Sequence, residues 1–295
     1  MWIDTFAAYL ACECDRSPLT VKTYTTSLEE FETFLKGKDE SLDWTTADQD
    51  IVRDWMVTLV EQGNTPRTVC KKLSALKTFY KFLLQRKRVD KDPVHALQGP
   101  KKDKPLPVFV RESEMNELLD GNYFPDSLEG RRDRLVLLIL YSTGIRRSEL
   151  YGLDWKDVEM GQRQLKVTGK RNKQRIVPFG AELHDALQAY RDELEQSGRT
   201  TTDAVLVNLK NGERMGREFI YKTVRKYLSM VTTLKKCSPH VLRHSFATAM
   251  LDNEASLQSV KELLGHVNLA TTEVYTHTTF EDLKRMYNQA HPRAK

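Results

Sequence analysis

Long apolar runs are missing from this sequence. The stretch after Arg134, Leu135 to Tyr141, is far shorter than the roughly 20 residues a membrane helix needs. The N-terminus, Met1-Trp-Ile-Asp-Thr-Phe6, is interrupted by an acid and does not resemble a signal peptide. A cytoplasmic protein with no membrane role is expected. Cysteine is scarce: Cys12, Cys14, Cys70 and Cys237 offer one Cys-x-Cys and no zinc-ligand pattern, so they read as reduced bystanders. No internal repeat or low-complexity tract stands out. One-sided charge is lacking as well, since 46 Lys plus Arg against 41 Asp plus Glu leave only +5. That balance permits a nucleic-acid partner without demanding one. What remains is a chain of 295 residues, 40% hydrophobic and 29% charged, long enough for two soluble domains with a core each.

Residues 1–97 read as a helical domain. Ile3, Phe6, Ala7 and Leu10 mark one helix. Val21, Tyr24, Leu28, Phe31 and Leu35 mark a second, closed by Gly37, and Ile51, Trp55 and Leu59 a third, closed by Gly63. A fourth follows Thr65-Pro66, with Val69, Leu73, Leu76, Tyr80 and Leu83 on its apolar side. On another face, Arg67, Lys71, Ser74, Thr78 and Lys81 form a basic and hydroxylic stripe. Such a face suits a phosphate-lined groove, where these groups set register and a few reach base edges; a solvated outer face is the plain alternative. Residues 98–107, rich in Pro, Gly and Lys, read as a basic linker, and residues 108–295 as the second domain.

Chemistry-bearing residues concentrate in that second domain. Ser238-Pro239 is a helix start, with a serine oxygen available as a cap and proline at the first helical position. His240 falls in the first turn and Arg243 at i+3 on the same face, where both can converge with exposed N–H groups on one anion. Leu242, Phe246 and Met250 bury the other face. A helix from about Ser256 has Leu257, Val260, Leu263 and Leu264 as its stripe and Gly265 as a left-handed stop, with His266 just beyond. Tyr275 follows a short polar run. A phenol is a weak nucleophile unless its proton is removed as it attacks, and nearby histidines and arginines meet that need.

Upstream, the apolar helix after Arg134 breaks at Ser142-Thr143-Gly144, and Arg146 emerges beyond the break. An i+3 ion pair with Glu149 is its bland role, worth a few tenths of a kcal/mol on an exposed helix. Gln164 to Thr168 and Gln174 to Pro178 read as the arms of a β-hairpin with a basic tip, Gly169-Lys-Arg-Asn-Lys173. A basic tip taken alone is an ordinary phosphate contact. The chain is therefore expected to be mainly α with a small β-hairpin or sheet, an α+β class.

His240-Val-Leu-Arg243-His244, Leu263-Leu-Gly-His266 and Tyr275-Thr-His277, with Thr143-Gly-Ile-Arg146-Arg-Ser-Glu-Leu150 upstream, resemble the signature of tyrosine recombinases, and within them the Xer recombinases. Thr20 to Leu35 and Lys72 to Tyr80 look like the SAM-like core-binding domain of that family. The resemblance implies a two-domain DNA clamp with a catalytic C-terminal domain. It implies Tyr275 as nucleophile, Arg146, Arg243 and His266 on the scissile phosphate, His240 managing the tyrosine proton, and Lys170 as the acid that protonates the leaving 5′ oxygen. Arg147 stands where the motif is variable and often apolar. Lys173 is left as a DNA contact beside the stripe of Arg67, Lys71, Ser74, Thr78 and Lys81. No cofactor, metal or ATP is implied. The implied partners are duplex DNA with paired recombination sites, a homo- or heteromeric tetramer, and a septal DNA translocase. A last helix bearing Phe280, Leu283 and Tyr287 would dock on a neighbouring subunit; packing on its own domain is the alternative.

Competing readings are a mobile-element integrase, a tyrosine topoisomerase, a DNA-binding protein without catalysis, and a zinc hydrolase using His240 and His244 with His266 or His277. Many integrases carry an arm-binding domain ahead of the core-binding one, and this sequence begins at the latter. The zinc reading places Arg243 beside the cation and has no acid between its two histidines.

Overall fold

In a computed structural model the chain divides into two compact units, Met1–Pro105 and Leu106–Lys295. The structure describes residues 2–101, 108–169, 172–199, 201–265 and 280–294. No helix among them is long and apolar enough to cross a membrane.

The first unit is all-helical: α1 (Trp2–Ala8) running into a π-helical turn (Tyr9–Glu13), then α2 (Pro18–Lys38), α3 (Gln49–Glu61) and α4 (Pro66–Gln85). Ser17, Asp48 and Thr65 cap the N-termini of α2, α3 and α4 through their side-chain oxygens, satisfying amides that have no partner within the helix. Phe6, Phe31, Trp44, Trp55, Phe79 and Tyr80 close the core. The polar atoms that two of these rings bring inside find partners: the Tyr80 hydroxyl donates to the Trp44 carbonyl at 3.0 Å, and Trp44 Nε1 donates to Glu32 Oε1 at 3.0 Å. Gly37 does not close α2. The helix continues to Lys38, and the chain turns at Asp39, whose carboxylate accepts from the amide of Ser41 at 2.8 Å. Gly99 and Pro100, read as linker, lie against α4, where Cys70 Sγ donates to the Pro100 carbonyl.

The second unit packs α5 (Glu112–Asp120), α8 (Ala181–Ser197), α9 (Arg217–Val231) and α10 (Pro239–Asp252) around α6 (Leu128–Thr143), every residue of which from Leu135 to Thr143 is buried. A helix apolar all round must be a central one, and α6 occupies that place. The hairpin arms are β2 (Gln164–Thr168) and β3 (Gln174–Pro178), joined by a short β1 (Val158–Glu159) into an antiparallel sheet of order β1-β2-β3. Leu165 pairs with Val177 and Val167 with Arg175 on its inward face. The set closes with α7 (Arg147–Tyr151), α11 (Leu257–Leu264) and α12 (Phe280–Ala290). Among the described residues the class is α with one small sheet, as the sequence indicates.

The α12 segment packs on its own unit in this structure. Tyr287, Ala290 and Ala294 join Phe246, Met250, Val260, Leu263 and Leu264 in one apolar cluster, and His291 lies buried against the rings of Tyr141, Phe246 and Tyr287. Arg293 anchors the tail through Glu182, Asp120 and Asn116.

A candidate phosphate site built from three arginines

Gly144 ends α6 with φ +60°, a conformation that suits glycine, and a Cβ there would meet the ring of Phe246 at 2.5 Å. Both constraints fix the turn that delivers Arg146 to the N-terminus of α7. The Arg146 amide donates to Glu149 Oε2 at 2.7 Å and its Nη1 to Glu149 Oε1 at 2.8 Å. This is the i+3 pair expected from spacing, but not on an exposed helix: the Glu149 side chain is only 1% exposed. Burial alone would favour the neutral acid, and the N–H groups and charges of Arg175 and Arg146 outweigh it, holding the carboxyl below its ordinary value.

Arg243 comes up from α10 and is buried. Its Nη1 donates to the Gly144 carbonyl at 2.7 Å and its Nη2 to the Leu264 carbonyl at 2.6 Å. Arg146 Nη2 reaches the next carbonyl along, Gly265, at 3.1 Å. The last carbonyls of α11 carry the negative end of its dipole and have no helical partner of their own, so they attract these cations. Gly265 ends α11 with φ +63°. The three functions of the turn, ending α11, holding two arginines and leading to His266, converge on three consecutive residues.

Burial, with Arg146 and Arg175 close by, lowers the Arg243 value to about 10, so it remains a cation at neutral pH. His240, one turn before Arg243, is exposed. Partial desolvation and the positive field of Arg243, His244, Arg147 and Arg146 hold its imidazole below the ordinary histidine value. Among the described residues Arg146, Arg175 and Arg243 gather around one carboxylate, so the site is electropositive, and 29% of the Arg146 side chain is exposed. That is what a phosphodiester needs: fixed cations whose alignment is settled before the charge arrives.

Lys170, His266 and Tyr275 lie outside the described residues, as do Thr276 and His277. Their flanks are described. Gly169 sits where a Cβ would be 3.4 Å from Glu149 Oε1, and its amide donates to the Lys173 carbonyl at 2.8 Å, closing the hairpin tip. Ser238 begins α10 without a side-chain cap; its backbone carbonyl takes the Val241 amide instead. Leu257 is 56% exposed, because the first turn of the short α11 overhangs the cluster that buries Val260, Leu263 and Leu264.

In the first unit, Arg67, Lys71, Ser74 and Lys81 are exposed and Thr78 half-buried. Ser74 and Thr78 return their hydroxyl protons to the carbonyls of Cys70 and Ser74. Arg67, Lys71 and Lys81 make no ion pair among the described residues, whereas Lys72, between them, is tied to Glu30.

Two features went unread in the sequence. Arg175 stands opposite Val167 on the inward face of the sheet, and a cation at an inward strand position was the available signal. The exposed face of α9 carries Arg217, Lys222 and Arg225, and Glu218 on that helix reaches Arg147 at 3.7 Å.

Known proteins resemble this chain along nearly its whole length. Residues 109–282 match the Phage integrase family, and residues 3–87 match its N-terminal SAM-like domain. The tyrosine recombinase XerC of Pelotomaculum thermopropionicum is 38% identical, with 99% of this chain and 98% of that protein covered. The XerC of Bacillus subtilis is 36% identical over 99% and 97%. Among solved structures, XerH site-specific recombinase bound to difH substrate superposes with a TM-score of 0.70 at 23% identity, covering 90% of this chain and 78% of that one. The Tn1549 transposon integrase in complex with circular intermediate DNA gives 0.71 at 18%, covering 97% and 98%. At these identities the structural likeness is one of fold.

Proposed function

We propose a residue-level mechanism for this chain, which belongs to the phage integrase family of tyrosine recombinases and is a site-specific recombinase of the Xer type. As a member it is a DNA strand-transfer enzyme with a tyrosine nucleophile, and duplex DNA is its partner. In the proposed reaction Tyr275 attacks a scissile phosphodiester, giving a 3′-phosphotyrosine and a free 5′ hydroxyl. Arg146, Arg243 and His266 neutralise the nonbridging oxygens, His240 takes part in removing the phenolic proton, and Lys170 protonates the leaving oxygen. The ester keeps the energy of the broken bond, so religation to a partner strand, through a Holliday junction, consumes no ATP. Each aligned donor is worth about 2.7 to 4 kcal/mol, or roughly 10² to 10³ in rate.

One observation carries this reading: Arg146 and Arg243 are both fixed on the carbonyls of Leu264 and Gly265, the turn that leads directly to His266. Two motif arginines far apart in sequence meet the third motif at hydrogen-bonding distance.

The same proposal extends to partners. The two units, Met1–Pro105 and Leu106–Lys295, would close on DNA as a clamp, with Arg67, Lys71, Ser74, Thr78, Lys81 and Lys173 on its phosphates. Four protomers, identical or paired with a paralogue, would act on two sites to resolve chromosome or plasmid dimers in the cytoplasm, licensed by a septal DNA translocase. The C-terminal segment would join neighbours. Since Tyr287 is part of the domain core, exposed Glu281 and Arg285 of α12 are the residues to alter; assembly on paired sites unaffected by their joint charge reversal removes α12 from the contact.

The test is covalent trapping on a library of nicked duplexes in EDTA. A nick just past the scissile bond releases the short 5′-hydroxyl fragment and prevents religation. An adduct that maps to Tyr275 and is lost in Tyr275→Phe is expected. An adduct on another residue, or dependence on added metal, overturns the assignment.

A further inference from the structure

The buried carboxylate of Glu149 receives four N–H groups, and half of them come from a residue with no place in the proposed mechanism. Arg175 donates Nη1 to Glu149 Oε1 at 2.8 Å and Nη2 to Oε2 at 2.9 Å, and its Nε donates to the Leu263 carbonyl at 2.7 Å. Its side chain lies flat on Gly265, whose absent Cβ would stand 3.1 Å from Arg175 Cδ. One guanidinium thus touches three segments: the hairpin arm that leads back to Lys170, the acid that orients Arg146, and the helix end that leads to His266.

We infer that Arg175 is a positioning residue for strand cleavage: by bonding both carboxylate oxygens of Glu149 it keeps that acid from engaging the Arg146 guanidinium as a full two-point partner, so that Arg146 presents its remaining donors to the phosphate. Bidentate pairing is the strong mode of arginine–carboxylate contact. Glu149 grips Arg146 by one side-chain contact and one backbone contact only, because Arg175 holds the parallel pair. A neutral residue at 175 would free the carboxylate to close on Arg146 and would unpin the hairpin from α11. Lysine keeps the charge but lacks the planar fork, so it restores only part of the arrangement. The inference rests on the recombinase reading for its activity test, but its geometric content is separate.

Arg175→Gln and Arg175→Lys, checked for native melting, are compared with the parent on a nicked duplex carrying the trapped target sequence. Binding is expected to stay within about twofold while adduct formation slows about 10²-fold in Arg175→Gln, the scale of a misplaced catalytic group. Arg175→Lys should recover part of the rate. The acid limb of the rate profile should also move to higher pH in Arg175→Gln, because Glu149 loses the Arg175 charge that helps hold its carboxyl down. An unchanged rate, or an equal loss in binding and in both variants at every pH, overturns the inference. If the parent forms no adduct on any duplex, the recombinase mechanism fails, and the inference is judged on the free protein by carbon NMR of labelled glutamate. A Glu149 titration that does not move upward in Arg175→Gln overturns it there.

Discussion

Arg243 donates from Nη1 to the Gly144 carbonyl at 2.7 Å, so the buried arginine of the site holds the backbone turn on which Arg146 stands. The two arginines are therefore unequal. Removing Arg243 strands the buried carbonyls of Gly144 and Leu264, at about 1 to 3 kcal/mol for each unsatisfied group. Removing Arg146 leaves Glu149 with both Arg175 contacts and its backbone amide. Arg243→Ala is expected to lose both stability and cleavage, and Arg146→Ala to lose cleavage by roughly 10² to 10³ while melting within a few degrees of the parent. Denaturant unfolding beside adduct kinetics separates the two; equal destabilisation would contradict the unequal burial.

Lys170 is assigned a proton, not only a charge. If it protonates the leaving 5′ oxygen, a substrate with sulfur in that bridging position no longer needs it, because a thiolate leaves unaided at neutral pH. Lys170→Ala should cleave the oxygen substrate slowly and the sulfur substrate at close to the parental rate. A defect of the same size on both substrates would make Lys170 a phosphate contact and return the general acid to the hairpin's other cations.

Acid should destabilise the protein through His291. Complete burial carries this imidazole from its ordinary 6.5 down to about 3; the nearest groups are the Tyr141 carbonyl, the rings of Tyr141, Phe246 and Tyr287, and the Arg293 cation. The folded value lies below the unfolded one, so the unfolded chain binds the extra proton first. Stability is untouched by this group above pH 6.5 and is lost progressively as pH falls toward 3, at about 1.4 kcal/mol for each pH unit crossed. His291→Gln should melt lower at neutral pH and lose stability less steeply on acidification. Parallel curves for parent and variant across that window would remove His291 as the cause.

How far the sequence speaks depends on whether a signal is local. The apolar run to Tyr141 stopped by a glycine, the alternation of Leu165 and Val167, and the glycine ending α11 are each set by neighbours within a turn or a strand pair, and each is legible. Gly37 misleads because a glycine near a helix end need not stop it, and here the chain leaves the helix two residues on, at Asp39, in extended backbone. Leu257 misleads because periodicity identifies a face and not how much of it finds a partner. Helices α8 and α9 show ordinary periodicity, with Leu183, Leu187, Tyr190 and Leu194 of α8 in one row, yet carry no motif to draw the eye. The convergence of Arg146, Arg175 and Arg243 on Glu149 and the end of α11 has no local signature. It exists only once β3, α7, α10 and α11 have packed.

The basic stripe on α4 offers an internal control. Arg67, Lys71 and Lys81 are exposed and unpaired among the described residues, while Lys72 is engaged by Glu30 and only 14% exposed. A cation that neutralises a phosphate releases condensed counterions, and each lost contact reduces the slope of log affinity against log salt by about 0.9. Alanine at Arg67, Lys71 or Lys81 should flatten that slope by close to one each and weaken binding to all duplexes alike. Lys72→Ala should leave the slope unchanged, since its charge is already spent on Glu30, although it removes one positive charge just as the others do. A slope that drops equally for all four would mean that the protein answers to net charge and not to the face of α4, and the clamp would have to grip DNA elsewhere.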